Sequence, residues 1–121
     1  MKQILTIFLV LTMAVSLTAC GAGNVAYLAD DGTVSVVTTI FPIYDWTKQV
    51  LGEDSDAELT FLLSTGVDLH SYQPTAADLL KLATCDLFIY VGGESDRWVE
   101  DALKEKVNPD MKVINLLEVL G

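Results

Sequence analysis

One side chain carries most of the chemistry this sequence can do. His70 is the only histidine among 121 residues, and it stands in the segment Gly66-Val-Asp-Leu-His-Ser-Tyr-Gln-Pro-Thr75. That segment lies between an apolar run, Leu59 to Leu63, and a capped helix start at Thr75. A neutral imidazole on a short loop at the end of a strand is well placed to bind a metal ion. A tight zinc site takes three or four protein ligands, so His70 is either an ordinary loop residue or one part of a larger site. Tyr72, two residues on, is read as packing or bonding within the loop rather than touching metal. Asp68 and His70 could also be read as part of a hydrolytic unit, but no nucleophile in a recognisable elbow accompanies them. The acidic residues Glu53, Asp54, Asp56 and Glu58 lack the spacing of a calcium loop and read as a solvated turn. Gly92-Gly93 is too little to form a phosphate-cradling loop. These residues give no sign of a catalytic unit, and an enzyme is not expected.

The elements that must position His70 alternate between short apolar strands and amphipathic helices. Val34 to Ile40 is rich in β-branched residues and reads as a buried strand. Pro42 suits a first helical turn, Ile43, Trp46, Val50 and Leu51 recur at helical spacing, and Gly52 stops the helix. Glu58 to Leu63 is the second strand. Thr75 and Asp78 have the form of a capping box, and Leu79, Leu80, Leu82 and Ala83 give the helix after it an apolar side. Asp86 to Val91 is the third strand, and a helix is expected over Glu94 to Val107 with Trp98, Val99, Ala102 and Leu103 on one side. Asn108-Pro109-Asp110 breaks it, and Lys112 to Leu117 is the fourth strand. This order predicts an α/β fold, a parallel β-sheet with flanking helices. The loops at the carboxyl ends of the strands should then share one edge, bringing Tyr44, His70, Tyr72 and Glu94 to the same side. Glu94 is read as a favourable charge at a helix start, Trp98 as core or cleft wall, and Cys85 as a buried structural thiol.

The first 19 residues have a basic start at Lys2, an apolar stretch and a small-residue end, the pattern of a secretory signal peptide. They contribute part of the positive mean hydropathy of the chain. Leu17-Thr18-Ala19-Cys20 resembles a bacterial lipobox, so Cys20 is the expected lipidation site and residues 20–33 a tether behind it. The location expected is the outer face of the cytoplasmic membrane, periplasmic or cell-surface. A lipidated Cys20 leaves Cys85 without a disulfide partner. Without the leader, six basic side chains stand against 17 acidic ones, a net of −11. Such a surface repels nucleic acid, and no basic stripe contradicts this.

The histidine segment is also similar to the Asp-Pro-His-x-Tyr-Glu-Pro signature of metal-binding solute-binding proteins of bacterial ABC importers. Val37-Thr-Thr-Ile-Phe-Pro42 resembles that family's first strand, and Asp86-Leu-Phe-Ile-Tyr-Val-Gly-Gly93 followed by Trp98 resembles its third strand and the turn beyond. The likeness spans roughly Val34 to Gly121 and agrees with the lipobox. It implies a two-lobed protein, with residues 34–121 as the N-terminal lobe and the C-terminal lobe absent from this sequence. It implies a metal held in the cleft by three histidines and a carboxylate, of which His70 matches the first histidine. The cargo is Zn2+, or Mn2+ as the alternative, and the partner an ABC permease. Asp68 matches the family's aspartate and is expected to fix the loop. Two positions depart from the signature: Leu69 replaces its proline and Gln73 its glutamate. The rival expectation is a truncated lipoprotein remnant, or an adhesin-like interaction protein, without tight metal binding.

Overall fold

A computed structural model describes residues 32–64 and 66–121. The leader, Cys20 and most of the tether lie outside the described residues, as does Thr65 of the histidine loop.

Four short parallel strands organise the described residues. They are β1 (Ser35–Thr38), β2 (Glu58–Phe61), β3 (Leu87–Tyr90) and β4 (Lys112–Asn115), in the spatial order β2-β1-β3-β4. Val37 of β1 lies beside Thr60 on one side and Phe88 on the other, and Phe88 in turn beside Val113. β1 and β3 are the inner strands, so Val36, Val37 and Phe88 are buried, as a parallel sheet covered by crossover helices requires.

Between the strands run α1 (Phe41–Leu51), α2 (Ala76–Thr84) and α3 (Trp98–Lys104), and α4 (Leu116–Leu120) follows β4. The α/β class and parallel sheet are as expected. Leu82 of α2, Val99 and Ala102 of α3 and Met111 before β4 meet Val37, Leu62, Leu63, Cys85 and Phe88 in one core, and Ala83 of α2 is also buried. Cys85 is buried there, and its thiol donates to the Leu82 carbonyl at 3.2 Å.

At the amino ends of the strands, Asp86 staples three segments. Its Oδ2 accepts the Ser35 N–H at 2.8 Å and the Ser35 hydroxyl at 3.0 Å. Its Oδ1 accepts from Asn108 Nδ2 at 3.0 Å, and the same Nδ2 donates to the Cys85 carbonyl. Polar pairing therefore ties this edge of the sheet together.

Several expectations about elements need correcting. In α1, Ile43 is buried but Trp46 is 62% exposed and Val50 88% exposed, so the apolar repeat there is wider than the face the sheet covers. In α2 the inward positions are Leu82 and Ala83, while Leu79 and Leu80 are exposed. The expected helix over Glu94 to Val107 divides into a 3₁₀ turn (Glu94–Asp96) and α3. The division arises because the Asp96 side chain turns inward, accepting the Gly92 N–H at 2.9 Å instead of pointing outward. The fourth strand ends at Asn115 rather than Leu117 because the Asn115 side chain accepts the Leu117 N–H and caps α4. Asn115 interrupts the apolar run, and an Asn there is itself a helix-start signal, which the expectation of one strand to Leu117 passes over.

Candidate metal-binding loop

The histidine loop is held by its own short-range bonds. Asp68 Oδ1 accepts the backbone N–H of His70 at 2.7 Å, and the Asp68 carbonyl accepts both the N–H and the hydroxyl of Ser71. The result is a 3₁₀ turn over Leu69–Ser71 that presents His70 outward. Asp and Asn favour this local bonding because their short side chains reach a backbone N–H two residues on. Leu69 packs its side chain against the core. The position where the signature has proline is thus used here as an apolar anchor. Gln73 is exposed.

Tyr72 closes the loop from the inside. Its ring meets Trp98 edge-on, with centroids 5.6 Å apart, an arrangement that aromatic quadrupoles favour. Its buried hydroxyl lies by the Asp78 carboxylate without reaching hydrogen-bond geometry. Burial first, then the Asp78 charge, push the Tyr72 pKa up, so the phenol stays protonated. Asp78 itself completes the capping box of α2. Its Oδ2 accepts the Thr75 N–H at 2.9 Å and the Thr75 hydroxyl at 2.8 Å, and Thr75 Oγ1 accepts the Asp78 N–H. Slight burial works to raise the Asp78 pKa, but these Thr75 bonds outweigh it and hold the carboxyl below its ordinary value. A concavity of about 460 Å³ beside this region is lined by Ser71, Tyr72, Gln73 and Asp78 among others, but not by His70.

The second loop at this edge follows β3. Gly92 and Gly93 both have left-handed φ, 92° and 80°, and Asp96 folds back on the Gly92 N–H. Burial raises the Asp96 pKa, against the lowering effect of that N–H. Ser95 is thereby turned toward the histidine loop, and its Oγ lies 2.8 Å from Nδ1 of His70. The two loops are joined through this contact, although their parent strands β2 and β3 are separated by β1.

The edge therefore assembles His70 and Ser95 directly, with Asp68 beneath the loop and Tyr72 against Trp98. Tyr44 belongs instead to an aromatic group with Phe41 and Phe61, its ring centroid 5.5 Å from that of Phe61. Glu94 pairs with Arg97 at 2.6 Å at the surface, an exposed pair of little energetic weight. Cys85 is no ligand: burial, then the neighbouring Asp86 charge, push its thiol up to about 12, leaving no thiolate at neutral pH. Among the described residues no group of three or more His, Cys, Asp or Glu side chains could hold a metal ion. None of their helices is long and apolar enough to cross a membrane.

Ser95 was not foreseen from the sequence. Its partner is 25 positions away, and serine has no spacing signature of its own. The pair Gly92-Gly93 ahead of it marked only a turn.

Four parallel strands with helices on their faces, and one imidazole displayed at the carboxyl edge, make an α/β fold that matches metal solute-binding proteins. Residues 36–120 match the family described as ZnuA, zinc-uptake complex component A, periplasmic, and the chain belongs to that family. It is 33% identical over 114 residues to the zinc-binding lipoprotein AdcA of Streptococcus pneumoniae serotype 4, covering 94% of this chain and 21% of that protein. The Zn(II)-bound ZnuA-like domain of S. pneumoniae AdcA superimposes with a TM-score of 0.60 at 32% identity, over 69% of this chain and 31% of that one. The periplasmic zinc-binding protein TroA from Treponema pallidum gives a TM-score of 0.64 at 31% identity, over 74% and 31%. The chain thus spans between about a fifth and a third of the length of the curated relatives it matches.

Proposed function

We propose that residues 34–121 are the N-terminal lobe of the substrate-binding component of a metal-ion ABC importer. The component captures Zn2+, with Mn2+ as the alternative cargo, between two lobes outside the cytoplasmic membrane and delivers it to the permease. His70 supplies one ligand, and the second lobe supplies the rest. The observation that carries this reading is the exposed imidazole of His70 on a loop braced by Asp68 and Ser95, inside the segment that matches the zinc-uptake family. Imidazole donors favour zinc among the available divalent ions, and an added carboxylate admits manganese. Asp68 braces the backbone of the ligand and Tyr72 the inner side of its loop. No bond is made or broken in this cycle, so the protein acts as a receptor and not as an enzyme.

In the two-lobed protein that this reading requires, His70→Ala weakens zinc binding by more than about a hundredfold, beyond the effect of losing a partner of a ligand. Chelator-competition calorimetry measures it, and unchanged affinity removes His70 from the site. Export follows from residues 1–19 acting as a signal peptide, and membrane attachment from a lipid on Cys20, with residues 20–33 as the tether. Metabolic labelling with palmitate is expected to mark the parent protein and to be lost in Cys20→Ser. Label that persists in that variant rules out the anchor.

A further inference from the structure

Among the described residues, the His70 ring makes one hydrogen bond to the second loop, its Nδ1 lying 2.8 Å from Ser95 Oγ. A neutral imidazole has one donor nitrogen and one acceptor nitrogen, so the proton held at one site leaves the lone pair at the other. The backbone N–H of His70 is already taken by Asp68, which places the ring without constraining its tautomer. Among the described residues, no hydrogen bond engages Nε2. A hydroxyl can accept as well as donate, and no other hydrogen bond of the Ser95 hydroxyl is seen among the described residues.

From this geometry we infer that Ser95 is a positioning residue for metal capture: its Oγ accepts the His70 Nδ1–H, fixing the tautomer that leaves the Nε2 lone pair open to the ion. The inference rests on the reading of His70 as a ligand. A metal-bound imidazole coordinated through Nε2 keeps its proton on Nδ1, and that N–H needs an acceptor to set the ring's orientation. Ser95 is the acceptor within reach, and it is held there by structure built for another purpose. Asp96, buried beside it, clamps the Gly92 N–H, a bond within the loop that does not involve His70. The acceptor is a neutral hydroxyl instead of a carboxylate. It orients the imidazole with little gain in basicity, and the site gains no negative charge from this loop residue.

The test uses the fact that the chain has a single histidine. In uniformly 15N-labelled, metal-free protein at about pH 8, above the ordinary imidazole range, the ring nitrogens of His70 are the only imidazole signals. Long-range 1H–15N correlation is expected to show a protonated Nδ1 and a bare Nε2. In Ser95→Ala the ring is expected to relax toward the Nε2–H form, while the backbone amide spectrum, recorded on the same sample, stays that of the folded lobe. Ser95→Thr, which keeps the hydroxyl, restores the parent pattern. Titration with Zn2+ alone, followed on the His70 nitrogens, is expected to need about tenfold more zinc in Ser95→Ala. An Nε2–H tautomer in the parent overturns the proposal, as does a Ser95→Ala variant with the parent tautomer and zinc response. The reading beneath it fails separately: if His70→Ala leaves zinc affinity unchanged in the two-lobed protein, His70 is no ligand, whatever its tautomer.

Discussion

Asp68 and Ser95 grip the same histidine by different ends, one at the backbone and one at the ring. A loop-fixing role for Asp68 was expected from the resemblance alone, and the bond it makes is a local one, to an N–H two residues on. The grip of Ser95 was not expected, because it depends on where another loop arrives. The most constrained residue of that loop is Gly92. Its φ of 92° is a region that L side chains rarely adopt, and an added Cβ would run into the side chain of Asn115. Asn115 is also the cap of α4. Gly92→Ala is therefore expected to cost about 2 kcal/mol or more, read as a lower urea midpoint. A variant as stable as the parent would show that the turn after β3 has another conformation open to it.

At the level of elements, the capping box of α2 was correctly read from Thr75 and Asp78, because reciprocal capping is encoded within four consecutive positions. The burial pattern of α1 was read less well. Periodicity reports which residues are apolar, whereas the sheet decides how wide a stripe it covers, and here Trp46 and Val50 fall outside it. Thr75→Ala is expected to lower stability by about 1 kcal/mol, measurable by thermal melting. The box also has a pH signature. The folded-state pKa of Asp78 lies below its ordinary value of 3.8, so its contribution is present above that value and is lost as pH falls through the depressed folded-state pKa. The stability difference between the parent and Asp78→Asn should shrink on acidification below about pH 4. A difference that stays constant down to strongly acidic pH would mean that the carboxylate charge plays no part in the cap.

For the whole molecule, the central quantity is how much of the proposed metal site this chain can hold. A complete structural zinc site carries on the order of 10 kcal/mol or more, and the described residues bring no cluster of three ligating side chains. Zinc affinity of the chain by itself is expected to be at least about a thousandfold weaker than that of the two-lobed protein proposed above, by calorimetry on both. Equal affinities would mean that this lobe binds the ion by other means. The sequence by itself determined the α/β class, the order of strands and helices, the capped start of α2 and the loop that bears His70. Each of these is written in the type and spacing of near neighbours, where backbone propensity and short-range bonding act. Only the tertiary structure decided the meeting of His70 with Ser95, the inward turn of Asp96 and the early end of β4 at Asn115. The first depends on which strand ends lie side by side, settled when the sheet assembles; the other two are short-range bonds that the apolar pattern of their segments does not announce.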